Sequence, residues 1–345
     1  MELTAKDTKM IQGISVLAMV CLHLFCTLDF SELYIPLILI KDIPLSFYFA
    51  QLCDFCVVGF AFCSGYAHMI KHGQKGYYKN RLIKLFYLLI NFWLILILFS
   101  IVSVSVGQSD FMPGSLSSFL GNFFLYRLSY NGAWWYMFTY SIIVVISPVV
   151  LKAVDKINPV IIIAVSFIVY FSAFLVRFKI HSSNWFLTQF GTFGMTIFEY
   201  IIGAVFYKHT VLTKIGKIKN KIDNKSRLVF PIVSLLVFLV MLFGHTLLVR
   251  SLFIAPVTGC IIIILFHFNR KPEMIQKLLL FIGRHSTNIW LSHMFFYLCL
   301  FTNLAYTAEY APLIFVFMLA LCILVSIPIN LLHSIIVKTI DKKIK

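Results

Sequence analysis

Long apolar runs, separated by short clusters of lysine and polar residues, set the pattern of this chain. An apolar helix needs about 20 residues to cross a bilayer. Ten segments meet that need, at roughly 10–28, 46–70, 82–106, 133–151, 158–177, 188–208, 228–248, 250–268, 278–301 and 311–337. The pattern predicts an all-α polytopic membrane bundle of about ten transmembrane helices. The turn between Gly244 and Ser251 must be very short. The stretch Ser115–Tyr126 is apolar but too short to cross, so it lies at the interface or re-enters. There is no internal repeat, no low-complexity tract and no sizeable soluble segment, which predicts one membrane domain over 1–345.

Charge orients this frame. With both termini cytoplasmic, all but five of the 29 Lys and Arg residues fall on the inner side. The five are Lys41, Arg127, Arg177, Lys179 and Arg250. Inner loops rich in Lys and Arg are the normal signature of orientation, and an even number of spans follows. The longest inner loop, Lys208–Arg227, carries Lys214, Lys217, Lys219, Lys221 and Lys225, a solvated face near anionic lipid. The same bias explains the net charge of +16 without nucleic acid as a partner.

Composition agrees. Of 345 residues 61% are hydrophobic and 12% charged, against about half and a quarter in soluble domains. Mean hydropathy is +0.94. The first apolar stretch lacks a small-residue cleavage site and reads as a retained span. The location expected is the cytoplasmic membrane, with multiple passes. Nearly all of the eight cysteines sit in apolar runs as small hydrophobes, and the Cys53-x-x-Cys56 spacing has no second pair to make a metal site. No span holds a clustered Cys/His ligand set, so no metal is expected. No Walker-type loop occurs, which argues against an ATP-driven pump.

Ionisable groups inside a span are costly and mark functional candidates. Four stand out: His23, Asp54, Glu199 and His293. Gln12 and His23 are eleven residues apart, almost three turns, so they share a helix face with Lys9, Ser15, Met19 and Cys26. This stripe leads from the basic surface about 16 Å into the membrane. Depth alone fits a packing histidine as well as a general base, which imidazole can be near neutral pH. Asp54 lies at a similar depth in the next span, where it could orient His23 or bond across helices. Glu199 faces the bundle. His68, His72, His209, His267 and His285 fall near the inner surface, and His181 and His245 near the outer, where solvation accounts for them.

Several segments together resemble one family, the acyltransferase family 3 membrane proteins. The family's Arg-x10-His spacing in the first span is kept as Gln12-x10-His23 beside Gly13, with glutamine where the family has arginine. Phe60-Ala61-Phe62-Cys63-Ser64-Gly65-Tyr66 is similar to its second-span segment, and Tyr78-Lys79-Asn80-Arg81-Leu82-Ile83-Lys84 to its Tyr-x-x-Arg-x-x-Arg. Trp134-Trp135-Tyr136, the run from Phe198 to Gly203, and the run from Gly283 through Ser286 and Trp290 to His293 match in order. The matches cover most of the chain.

The resemblance implies transfer of an acyl group, commonly acetyl from cytoplasmic acetyl-CoA as co-substrate, to a hydroxyl of an extracytoplasmic glycan or lipid-linked glycan precursor. On that reading His23 is the general base and Asp54 its partner. Arg81, with Lys84, Lys9, Gln12 and Arg284, would hold the phosphates of CoA, a guanidinium forking onto phosphate best. Gln12 brings no charge, and Lys9, one turn earlier, would supply it. Trp134, Trp135, Tyr136 and Ser64 would donate to the oxyanion, and Glu199 and His293 would line the acceptor side. Two other classes fit the same residues. A transporter or flippase of a lipid-linked precursor would also use Asp54, Glu199 and His293, although such proteins often carry internal repeats. A scaffold in a glycan-synthesis complex would be indifferent to His23.

Overall fold

A computed structural model describes residues 2–180, 184–223, 228–248 and 251–344. His181, Lys225, Arg227, Arg250 and Lys345 lie outside the described residues. The chain is all-α and crosses a membrane many times. Its elements are α1 (Ala5–Phe25), the strands β1 (Leu39–Ile40) and β2 (Ile43–Pro44), α2 (Leu45–Leu52), α3 (Cys56–Ile70), α4 (Tyr77–Ser105), α5 (Leu116–Phe123) and α6 (Trp135–Lys156). Then follow α7 (Pro159–Leu175), α8 (Trp185–Lys208), α9 (Val211–Asp223), α10 (Val229–Leu247), α11 (Ala255–Phe268), α12 (Glu273–Met294), α13 (Thr302–Tyr306) and α14 (Ala311–Ile344). Among the described residues, eight helices are long and apolar enough to cross a bilayer. They answer to eight of the ten expected spans.

The other two are α11 and α12. α11 has 14 residues, about 21 Å, against a hydrocarbon core of about 30 Å. α12 has 22 residues, but Glu273, Lys277 and Arg284 interrupt its apolar surface. Its direction decides whether both cross. Lys6 Nζ donates to Gln276 Oε1 at 2.7 Å, and Gly13 lies on the backbone of Leu279 and Gly283. α12 therefore runs alongside α1 in the same direction. An odd number of crossings must separate the two, and α11 makes the count odd. The short helix is eked out by the 3₁₀ turn Ser251–Phe253 that precedes it.

The chain folds as two compact units. The first comprises residues 1–26, 46–77 and 145–284. It begins at a capping box, in which Thr4 Oγ1 accepts from the Asp7 amide and Asp7 Oδ2 accepts from the Thr4 amide. α8 is the most enclosed of the spans and α10 the least. α8 earns its place through glycine. Gly203 rests on the backbone of Phe62 in α3, and Gly65 of α3 rests on the Tyr200 carbonyl in α8. A Cβ at either position would collide with main chain. Small residues at such crossings let apolar helices approach closely when no hydrophobic drive separates them from lipid. Gly59 of α3 lies against the Ser15 hydroxyl of α1, and Gly259 of α11 against Val58.

The second unit comprises residues 27–45, 78–144 and 285–345. Asn91 bonds Asn288, which donates to Ser326 Oγ at 3.0 Å and Asn330 Oδ1 at 2.9 Å, tying α4, α12 and α14 together by amides. α5 covers most of Ser115–Tyr126 and packs its C-terminal end on the middle of α4. Phe123 stacks on Trp93 with centroids 4.8 Å apart, and Trp93 Nε1 donates to the Phe123 carbonyl at 3.1 Å. Trp93 is about twelve residues, or about 18 Å, from the end of α4, well inside the span. Irregular backbone survives at that depth only where its polar groups are satisfied by protein. Here Asn122 Nδ2 donates to the Ser118 carbonyl and to Ser129 Oγ, both at 2.9 Å, and Tyr130 Oη to the Pro113 carbonyl at 2.5 Å.

Candidate functional site

Within the first unit, α1 carries the expected stripe. Lys9, Gln12 and His23 are half-buried, while Ser15 and Met19 are packed away. His23 lies in the last turn of α1, two residues before Phe25, where the Cys26 amide closes the helix on the Leu22 carbonyl. The carbonyl end of a helix favours a cation. The imidazole is thus near the end of α1 remote from Lys9.

The second expected span is not one continuous α-helix. A 3₁₀ turn, Cys53–Phe55, separates α2 from α3 and holds Asp54 at 3% exposure. Asp54 Oδ2 is 3.6 Å from His245 Nδ1 on α10. His245 is fully buried, which corrects the expectation of a solvated histidine at the outer surface. Glu199, on the enclosed α8, is likewise buried, and its Oε2 has no hydrogen-bond partner. The charges of Asp54 and Arg177 both act on it. Arg177 sits in the π-helical turn Val176–Ile180 that extends α7. Asp54 and His245 thus make a buried acid–base pair, and the same unit holds a second acid, the buried Glu199, and a second base, the half-buried Arg177. Sequence reading found the acids and missed the bases, since both sit at span ends where a solvated charge is the norm. His68 is also buried rather than interfacial, with Nδ1 2.8 Å from Tyr200 Oη.

On the opposite end of α1, the Lys9 side chain and carbonyl pack on Gly283, so Lys9 and the exposed Arg284 are brought close. These are two of the expected donor contacts. Ser64 is half-buried and donates to the Phe60 carbonyl of its own helix at 2.9 Å, so its proton is already engaged.

Within the second unit, Arg81 and Lys84 stand one turn apart near the start of α4. The tryptophan segment forms a reciprocal clasp. Trp134 Nε1 donates to the Leu291 carbonyl and Trp290 Nε1 to the Ala133 carbonyl, both at 3.0 Å. Asn131 Nδ2 also donates to Leu291, at 3.0 Å. Trp134 is fully buried between Phe92 and Phe295, so its N–H is a structural bond rather than a donor aimed at a reacting atom. Tyr136 packs edge-on to Trp290 at 5.5 Å and Trp135 edge-on to Tyr136 at 5.7 Å. His293 follows on α12, with Nδ1 2.8 Å from the Trp290 carbonyl and its ring stacked on Tyr297. Immediately beyond, α12 loosens into the π-helical turn Phe295–Cys299, a geometry frequent at functional sites. The clasp predicts that Trp134→Phe, which keeps the ring and loses one buried bond, lowers stability by about 1 kcal/mol. A thermal melt of the detergent-solubilised protein reads this as a fall of a few degrees, and an unchanged melt would remove the clasp from the account.

Comparison with known proteins adds one finding. The family model described as an acyltransferase domain matches residues 9–331. Comparison with curated proteins and with solved structures returns no significant match.

Proposed function

The chain belongs to acyltransferase family 3, and from that premise we propose that it moves an acyl group, acetyl first, from cytoplasmic acyl-CoA to a hydroxyl of a surface glycan or its lipid-linked precursor. The observation that carries this reading is the family match, which takes in every candidate residue from Lys9 to His293.

In the proposed reaction His23 accepts the proton of the acceptor hydroxyl as its oxygen attacks the thioester carbonyl. The tetrahedral intermediate collapses with loss of the CoA thiolate, which takes the proton back from the imidazolium. The products are the ester and the free thiol. Base catalysis of this kind is worth about 10²- to 10⁴-fold. Asp54 positions the base from the neighbouring 3₁₀ turn, and Glu199 and His293 are kept for the acceptor. Trp135 and Tyr136 are proposed as oxyanion donors on the family resemblance, and the Trp134 and Ser64 protons are engaged elsewhere.

The acyl donor would be held from the basic side. Arg81 and Lys84 on the first turns of α4 would bind its phosphates, a guanidinium forking onto phosphate best, and Lys9, Gln12 and Arg284 are proposed as further donor contacts. This orientation, with both termini cytoplasmic in the cytoplasmic membrane, rests on the charge bias of the loops. Arg81→Ala is expected to raise the KM for acetyl-CoA about tenfold with little change in kcat, the mark of lost uniform binding. The assay is release of CoA thiol by protein in nanodiscs supplied with acceptor lipid extract. A KM equal to wild type would take Arg81 out of the donor site, and no thiol release from wild type would count against the reaction itself.

A further inference from the structure

The loop that follows α1 is unlike a water-exposed connection. Its first residues, Thr27–Glu32, are mixed, with Asp29 and Glu32 set among Leu28 and Phe30. The next stretch is apolar and turned outward. Ile35 is 50% exposed, Leu37 63%, Ile38 54%, Leu39 50% and Ile40 46%. Consecutive residues of an extended chain point to opposite sides, so apolar groups are uncovered on both faces of this segment at once.

The segment is nevertheless ordered. β1 pairs antiparallel with β2, Leu39 opposite Pro44 and Ile40 opposite Ile43. Lys41 and Asp42, both in the left-handed region, form the tight two-residue turn that such a hairpin requires. The Leu45 amide closes the base on the Ile38 carbonyl at 2.9 Å. At the other end the Ile35 amide donates to the Glu309 carbonyl at 2.8 Å, and Ile35 bridges Tyr310 in parallel. The backbone is thus largely self-satisfied while the side chains are not covered. That combination suits an apolar medium and is costly in water.

Continuity says which medium. Pro44 is followed directly by Leu45, the first residue of the apolar span Leu45–Ile70. No residue separates β2 from that span, so the hairpin joins it without a connecting loop. The same unit carries a second surface of this kind. Along α5, Leu116, Leu120 and Phe124 recur every fourth residue and are 73%, 42% and 69% exposed. They lie on a helix whose other side is anchored to Trp93. The only charges in 35–44 are Lys41 and Asp42 at the hairpin tip, where a lysine can reach the headgroup layer.

We propose that residues 35–44 form a monotopic hairpin, seated in the acyl boundary of the leaflet opposite the basic loops, whose partner is membrane lipid. Such seating follows the rule for interfacial elements, an apolar surface laid into the headgroup–acyl boundary with its charge kept at the polar level. If the acyl-transfer reading holds, the lipid so engaged borders the extracytoplasmic side on which the acceptor is proposed to be met. The seating itself does not depend on that reading.

The test uses the full-length protein in nanodiscs of phosphatidylglycerol and phosphatidylcholine. The photoreactive amino acid benzoylphenylalanine replaces Leu39, separately Leu37, and as a polar control Glu32. After illumination, intact mass spectrometry should find a phospholipid adduct at Leu39 or Leu37 at five times or more the yield at Glu32. Two positions guard against one variant failing to fold, which size-exclusion chromatography would reveal. Equal yields at the three positions, no lipid adduct, or an adduct to a second protein chain would each overturn the proposal. None of these readouts requires acyl transfer, so the hairpin and the reaction fail separately.

Discussion

Replacing His23 with alanine is expected to reduce acyl transfer by about 10²- to 10⁴-fold, to the limit of detection in cells, while the protein still inserts and purifies as a single species. The direction follows from the chemistry. A sugar hydroxyl is a weak nucleophile near neutral pH, and its attack on a thioester needs a base within hydrogen-bond reach. His23 is half-buried, in the last turn of α1, and on the helix face that Lys9 and Gln12 share. The fold does not lean on it as it leans on Gly13, which lies directly on the backbone of α12. The effect should therefore appear in kcat and leave the melting temperature within a few degrees of wild type. The check is acetyl content of the surface glycan by NMR in cells that carry wild type or the variant. Acetylation retained at wild-type level would remove His23 as the base.

The second large effect concerns architecture. Gly203→Val is expected to abolish recovery of folded protein. The first atom of any side chain at 203 would collide with the carbonyl group and Cα of Phe62. Overpacking against movable side chains costs about 1–3 kcal/mol, and main chain of a packed helix yields less easily. Gly65 makes the reciprocal approach to the Tyr200 carbonyl, so parting α3 from α8 at one point opens both. The collision sits next to Glu199 and Tyr200, so milder substitutions should lose activity before they lose the fold. Fluorescence-detected size-exclusion chromatography checks this, with Gly244→Ala, which has open space around it, as the control. A symmetric peak of normal height from Gly203→Val would show that the crossing can relax.

Much of this was legible in the sequence. Hydropathy located each helix that crosses, because lipid demands unbroken apolar length, and lysine clusters marked the turns. Depth and phase were enough to single out His23, Asp54 and Glu199. What escaped the sequence depends on partners far along the chain. The 3₁₀ turn that presents Asp54 falls in Leu52-Cys53-Asp54-Phe55, which holds no glycine or proline to announce a break. His245 sits at a span end, where solvated charges abound, and only the fold turns it inward. Trp134 looked like a donor for chemistry, yet its N–H bonds a carbonyl 157 positions away. The direction of α12, fixed by Lys6 and Gln276, was needed to show that the short α11 crosses.

The central claim is that an acyl group leaves CoA on the basic face and reaches a hydroxyl-bearing acceptor through this chain alone. Purified protein in sealed proteoliposomes of known orientation, loaded with lipid-linked glycan, tests it when acetyl-[14C]CoA is added only on the side of the lysine-rich loops. The account predicts label in ester linkage, released by mild alkali, with one free CoA thiol per acetyl moved and none from the His23→Ala protein. Translocation of the glycan with no label incorporated and no thiol released would contradict it, and would turn the chain into a transporter.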